Sequence, residues 1–275
     1  MSLVETARDG RGVVTVTLAD EANRNALSRR LLAELSAVLD GADADPAVRV
    51  VVLTNAGRVF CAGADLRETG ARAARERSEQ ERETGAPAGD NVVVVRAGEL
   101  FGRFRRSPKP YVGRIAGHCV AGGMGLAAAM DISIARDDAR FGFTEVRVGV
   151  APAMISVLCL PKMRRSEAAA AFLRGNRFSA AEAARLGLIN AAVPPESLDD
   201  EVEAVVTDLL AGGPSALAAA KQLVHRVPET SFDDALDWAE RLSAELFAGD
   251  EAAEGMDAFL NKRTPGWVPE NGDSP

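Results

Sequence analysis

The chain has 275 residues, 47% hydrophobic and 26% charged, the balance of a globular protein with chain enough for one large core or a core plus an appendage. With 32 Lys and Arg against 40 Asp and Glu the net charge is −8, which argues against nonspecific nucleic-acid binding but leaves room for a local arginine cluster on an anionic small ligand. Its apolar runs fall short of the roughly 20 residues a membrane-spanning helix needs, and MSLVETARDG lacks an apolar signal region, so a cytoplasmic protein is expected.

GVVTVTL (12–18) alternates β-branched residues and predicts a strand. Ser28 is a candidate N-cap, and apolar residues at 31, 32, 35, 38 and 39 keep helical spacing, predicting a helix that stops near Gly41. VRVVVLTNAG (48–57) predicts a second, more buried strand ending in a turn. Residues 67–90 are charged and contain Gly and Pro; they read either as a solvated insertion or as a lid. VVVVRAGELFGRFRRSP predicts a helix ended by Pro108. PYVGRIAG, followed by CVAGGMGLAAAMDI (119–132), and then MDISIARDDARFGF supply further modules. Strands alternating with helices predict an α/β fold, here with strand–strand–helix repeats, over residues 1–193. Residues 194–275 carry helical signals, with Ser197, Ser215 and Ser231 as candidate caps, and predict a helical region whose apolar faces pack on the core or on another subunit. TPGWVPENGDSP is expected to be a frayed tail.

Cys61, Cys119 and Cys159 form no metal-ligand or redox spacing and read as small buried apolar residues. His118 and His225 are too scattered for a metal centre. His118 adjoins Cys119, but neighbours on a strand face opposite ways, which argues against a thiol–imidazole pair.

Two small-residue stretches bear on chemistry. RVFCAGADLRE (58–68) has Gly63 between alanines, so no bulk blocks its backbone N–H groups. Gly122 and Gly123 stand where a helix should begin, and helix starts leave N–H groups unpaired under a partial positive potential. Brought together, two such corners could donate to one oxygen; alone, each is equally explained by tight packing. No GxGxxG follows the first strand, which disfavours a dinucleotide-binding dehydrogenase.

FCAGADL, GHCVAGGMGLAAAMDI, FGFTEVRVGVAP, AARLGLINAAVP and AFLNKR, in this order, resemble the enoyl-CoA hydratase/isomerase (crotonase) family from about residue 12 to residue 263. The resemblance implies a crotonase-like spiral of ββα repeats followed by a helical trimerisation region. It implies an acyl-CoA thioester substrate, no cofactor beyond the CoA of that substrate, and a homotrimer or dimer of trimers. Matched by position, the thioester carbonyl would lie between the N–H groups of Ala64 and Gly122. Arg24, Ala26, Ala62, Gly63, Asp65, Leu66, Arg67 and Gly123 would line the substrate path, and Lys262 or Arg263 of a neighbouring subunit would join Arg24 and Arg67 on the CoA phosphates.

Hydratases of this family usually carry two glutamates. The second matches Glu145 in FG-x-x-E; the first matches Gly125, six residues before Asp131, and is missing. Hydration needs a base for water and an acid for Cα. Either Glu145 does both, or another group stands in, or the reaction is Δ3,Δ2-enoyl-CoA isomerisation with one shuttling glutamate; a catalytically silent acyl-CoA-binding protein is the other alternative. Gly125 is expected to free space for a branched or carboxylated acyl group, and the surrounding motifs look like the bacterial methylglutaconyl-type hydratases.

Overall fold

The computed structural model describes residues 2–71 and 97–269. Three strand pairs organise it. β3 (Val50–Asn55) leads into β4 (Val59–Cys61), β5 (Tyr111–Ile115) into β6 (His118–Val120), and β7 (Ile132–Arg136) into β8 (Arg140–Gly142). The first member of each pair enters a six-stranded sheet ordered β1-β2-β3-β5-β7-β10, with β1 at Val4–Arg8, β2 at Val13–Leu18 and β10 at Ala191–Val193. The second member enters a four-stranded sheet ordered β4-β6-β8-β9, with β9 at Phe178–Ser179. Pairing along β2-β3-β5-β7-β10 and β4-β6-β8 is parallel, so the chain climbs one strand in each sheet per turn, which is the ββα spiral.

The sequence of β3 follows from burial on both faces. Val51 and Leu53 point into the main core, while Val50 and Val52 join a second cluster on the opposite side, so no position accepts a charge. Helix α1 (Arg29–Ala44) closes the main core with Leu31, Leu32, Leu35 and Leu39, and Ser28 caps it by accepting from Leu31 N–H, as expected. The helix runs past Gly41, because glycine costs only about 1 kcal/mol inside a helix whose far face is already buried. The short α2 (Ala97–Arg106) and α3 (Gly122–Ala129) lie inside the spiral; α3 is buried nearly all round.

After Val193 the described residues are helical. Helix α7 (Leu198–Ala211), which follows α4 (Ala153–Cys159), α5 (Arg165–Arg174) and α6 (Ala180–Arg185), lays Leu198, Val202, Val206 and Leu210 on the outer face of the large sheet. Each such side chain contributes roughly 1.5–3 kcal/mol by leaving water. Beyond it come α8 (Pro214–Arg226), α9 (Phe232–Phe247) and α10 (Asp250–Leu260). Their apolar faces are only partly covered: Phe232, Leu236, Phe247, Phe259 and Leu260 are exposed.

Several local expectations are corrected. Ser231 caps α9, but Ser197 makes no side-chain cap bond. Ser215 is not a cap at all: α8 begins one residue earlier, and Glu251 accepts from the N–H groups of Ser215 and Ala216. The tail is held at Trp267, which donates to Ala211 O (3.0 Å) and whose carbonyl accepts from Arg49 (2.7 Å); residues 270–275 lie outside the described residues. Most of the 67–90 stretch lies outside the described residues. β1 was not anticipated, because an exposed edge strand carries no periodic apolar signal.

The three cysteines are free and buried, and burial pushes Cys61 and Cys159 up to about 12. His118 is partly exposed while Cys119 is fully buried, and His118 Nδ1 accepts from Arg140 N–H (3.1 Å).

Among the ionic contacts that join the helical region to the spiral, that of Lys221 with Asp131 is the most buried. Lys221 Nζ of α8 donates to Asp131 Oδ2 (2.8 Å) and to Lys109 O (2.8 Å), and the same Asp131 oxygen accepts from Tyr111 N–H (2.8 Å). Asp131 directly follows the C-cap of α3. Replacing Lys221 by Ala leaves a largely buried carboxylate without its cation and is expected to lower stability by roughly 3 kcal/mol. A urea titration reads this as a lower midpoint at unchanged slope.

Candidate active site

Parallel pairing in the small sheet brings distant segments together. Cys61 of β4 pairs with Cys119 of β6, and Cys119 pairs with Phe141 of β8. Ala64, Gly122 and Thr144 each lie three residues beyond those partners, and all three line one cavity of about 990 Å³. Glu145 is next in the chain and lines it too.

The corner at 63–64 is shaped by its backbone. Gly63 has φ 86°, and a methyl group there would lie 2.6 Å from Ala121 Cβ and 2.7 Å from Gly122 N. Leu27 N–H donates to Gly63 O (2.7 Å) and holds the corner from behind. At the other corner Ala121 adopts φ 50°, ψ −126°, unfavourable for a residue with a side chain, and turns the chain directly into α3. Ala121 N–H donates to Gly142 O (2.9 Å), which fixes this turn to β8. No side chain caps α3. Among the described residues neither Ala64 N–H nor Gly122 N–H has a hydrogen-bond partner. A Cβ at position 122 would stand 3.1 Å from Gly63 Cα and 3.5 Å from Ala64 N, so the two corners lie side by side.

Glu145 opens a 3-10 turn, Glu145–Val148, that ends at Gly149 in the left-handed region. Its Oε2 is buried without a hydrogen-bond partner. Burial raises its proton affinity above that of an ordinary glutamate, and a hydrogen bond from its own backbone N–H offsets this only in part. Glu145 is the only carboxylate among the described residues lining the cavity. Around it stand Phe101, Val148, Val150, Met154 and Ile155. Arg147 also reaches the wall, where its guanidinium donates to Gly175 O (2.6 Å) and Arg174 O (3.3 Å).

Gly125 does not open space. A Cβ there would meet Ile155 Cγ2 at 2.4 Å and Phe101 Cζ at 3.0 Å, so hydrocarbon already fills the position. The expected room for a branched or carboxylated acyl group is therefore absent at Gly125.

A second groove of about 890 Å³ adjoins the cavity, sharing Ala62, Ala64, Leu66, Thr144 and Arg177 with it. Arg24, Ala26, Asp65 and Arg67 line it as well. So do Arg58 and His118, which with Arg177 were missed from sequence because their motifs carry no phosphate-binding spacing. Burial lowers the proton affinity of His118, and the charges of Arg177 and Arg58 lower it further. Asp65 is engaged structurally: its carboxylate accepts from Asn23 Nδ2 (2.7 Å) and from the N–H groups of Arg67 (2.9 Å) and Glu68 (3.2 Å). Arg24 and Asn25 both adopt left-handed backbone, and buried Asn25 locks that turn by donating to Val59 O (2.8 Å) and accepting from Asp20 N–H (2.8 Å).

Three expected positions fall outside the cavity wall. Gly63 is a spacer behind the two amides, and Gly123 packs on β4, where a Cβ would come within 2.5 Å of Cys61 O. Lys262 sits exposed at the end of α10, away from both cavities of this chain, and Arg263 is paired with Glu254 (2.7 Å) and Asp257 (2.5 Å). Among the described residues no group of three His, Cys, Asp or Glu side chains is arranged to hold a metal ion.

Known proteins are similar to this chain over nearly its whole length. The family model for enoyl-CoA hydratase/isomerase matches residues 8–270. A crystal structure of an enoyl-CoA hydratase from Mycobacterium smegmatis superposes with a TM-score of 0.87 at 35% identity, covering 98% of this chain and 100% of that one. An enoyl-CoA hydratase from Mycobacterium avium is 40% identical with a TM-score of 0.69, covering 97% and 99%. The 2,3-dehydroadipyl-CoA hydratase of Escherichia coli is 30% identical over 96% of this chain and 98% of its own length. With a spiral of this topology and a family match over nearly its whole length, the chain belongs to the enoyl-CoA hydratase/isomerase family.

Proposed function

We propose that the chain is an enoyl-CoA hydratase-type lyase that adds water across a 2-enoyl-CoA thioester. The observation that carries this reading is one cavity lined by two residues with unpartnered backbone N–H groups, Ala64 and Gly122, and by a buried, unpartnered carboxylate, Glu145. The thioester oxygen accepts from both amides, at the positive end of α3. Ionised Glu145 takes a proton from water as the water oxygen bonds to Cβ. The C=C electrons move toward the thioester and become an enolate, whose negative oxygen the amides hold. Protonated Glu145 then returns the proton to Cα, giving the 3-hydroxyacyl thioester with atoms and charge balanced. Each amide donor is worth about 3 kcal/mol at the transition state.

The second groove is the proposed path for the CoA moiety, with Arg24, Arg58, Arg67 and Arg177 as phosphate partners. CoA enters as part of the substrate, and the scheme calls on no metal or redox group. The exposed apolar residues of α9 and α10 support assembly with further copies, as a homotrimer or dimer of trimers, with Lys262 reaching a neighbour's CoA.

Isomerisation is the second reading, favoured by one observation: Glu145 is the sole carboxylate among the described lining residues. Loss of conjugated absorbance from crotonyl-CoA marks hydration, and its gain from a 3-enoyl-CoA marks isomerisation. Acyl-CoA binding without either change would make the protein a silent binder and overturn the proposal.

Glu145→Gln is expected to lower kcat by about 10²–10⁴-fold while acyl-CoA binding persists. Because burial raises its proton affinity, Glu145 ionises later than an exposed glutamate as pH rises. The acid limb of kcat/KM therefore has its midpoint above the ordinary carboxylate range. The linkage has the matching sign: the folded state holds this proton more tightly than the unfolded chain, so the stability it contributes is present below the ordinary glutamate value and is lost as pH rises through the folded value. Glu145→Gln is accordingly at least as stable as the parent at neutral pH, which a thermal melt checks.

Gly63→Ala forces a methyl against Ala121 and Gly122 at positive φ. It is expected to cost about 1–3 kcal/mol of stability and, with the two amides separated, to lower kcat about tenfold or more in folded protein. Steady-state kinetics alongside a melt distinguish the two losses.

A further inference from the structure

We propose that Ile155, backed by Phe101, is the specificity-determining residue that keeps this centre at one carboxylate. The inference rests on the acyl-CoA reading of the cavity. It concerns what the chain has built opposite its single acid.

Gly125 lies three residues after Gly122 on α3, one turn further along the helix whose first residue lines the cavity. A side chain at 125 would leave the helix toward α4. Ile155 of α4 stands directly in that path: its Cγ2 would be 2.4 Å and its Cβ 3.2 Å from a Cβ at position 125, and Phe101 Cζ would be 3.0 Å away. Both side chains are nearly sealed from solvent, at 2% and 4% exposure, and both line the cavity, whereas Gly125 does not. They therefore form a layer between position 125 and the substrate space. A β-branched side chain has one strongly preferred rotamer on a helix, so Ile155 cannot swing aside as a methionine could. Even one methyl group at 125 is excluded while Ile155 stays, and a glutamate is excluded more firmly.

The change at 125 and the side chain at 155 are thus one device. Position 125 carries glycine in place of a second acid, and Ile155 with Phe101 sets hydrocarbon there, which offers water no hydrogen bond. Water is left with one hydrogen-bonding carboxylate among the described lining residues, Glu145, whose Oε2 has no protein partner. Restoring a glutamate at 125 is useless unless position 155 is cut back.

The test compares the full-length protein with Gly125→Glu, Ile155→Ala and the double variant. Each is assayed for crotonyl-CoA hydration across pH, for binding of unreactive butyryl-CoA, and by thermal melting. Gly125→Glu alone is expected to melt lower, to lose about tenfold or more in kcat, and to gain no second ionisation. Ile155→Ala is expected to keep a single ionisation. The double variant is expected to melt above Gly125→Glu, to exceed Ile155→Ala in kcat by about tenfold or more, and to show two ionisations, because a carboxylate no longer screened by Ile155 opens onto the cavity that Glu145 lines.

A second ionisation in Gly125→Glu with Ile155 intact overturns the proposal, as does a folded double variant with one ionisation and no gain. Should the double variant not fold, Gly125→Ala decides: its melting penalty is expected in the parent and relieved in Ile155→Ala, and equal penalties in both backgrounds overturn the proposal. If the parent neither binds butyryl-CoA nor turns over crotonyl-CoA, the acyl-CoA reading has failed. The stability coupling of 125 with 155 still reports on the packing separately.

Discussion

The parallel pairing of β4 with β6, and of β6 with β8, is the constraint on which the rest depends. Three short strands from successive turns of a spiral lie side by side, with one register shift between Val59 and Cys61 that sets Cys61 opposite Cys119, so the residues that follow them emerge at one end of the small sheet. Backbone corners 58 residues apart in sequence, at Ala64 and Gly122, become neighbours by this route, and Thr144 with Glu145 arrives from the next turn. The large sheet supplies rigidity: β3 is buried on both faces, with α7 covering the outer one. Placement of the amides is thus a property of sheet register rather than of any flexible side chain, which is the kind of preorganisation that electrostatic stabilisation requires.

Strain and missing partners are found where that register ends. Ala121 carries a positive φ that glycine would tolerate better, α3 lacks a side-chain cap, and the buried oxygen of Glu145 has no partner. Each is a local cost that the surrounding packing must sustain, and together they border one cavity. The aspartate at the far end of α3 is meanwhile clamped by Lys221 and the backbone of Tyr111, so the helix is fixed at its C-terminal end and left open at its N-terminal end.

Much of this was legible in the residues. β2 and β3 announce themselves by apolar and β-branched runs, α1 by its spacing and its Ser28 cap, and the spiral by the order of the family's motifs. What could not be read was whatever long-range packing decides. Gly41 looked like a stop, yet the buried face of α1 carries the helix past it. Gly125 looked like vacant space, yet Ile155, thirty residues on, fills it; no local pattern links the two. Arg58, His118 and Arg177 converge on the second groove from three separate segments, and Lys262 was assigned by motif although in a single chain it lies far along the helical region. Asn25 has no apolar periodicity to betray it, but its amide holds the turn that carries Arg24.

The central claim is that two main-chain amides meet on one thioester oxygen beside a lone carboxylate. A crystal structure of the protein with bound butyryl-CoA tests it most directly. The thioester oxygen is expected at about 3 Å from both Ala64 N and Gly122 N, with Cα and Cβ beside Glu145. A thioester lodged elsewhere, or one whose oxygen meets neither amide, would contradict it.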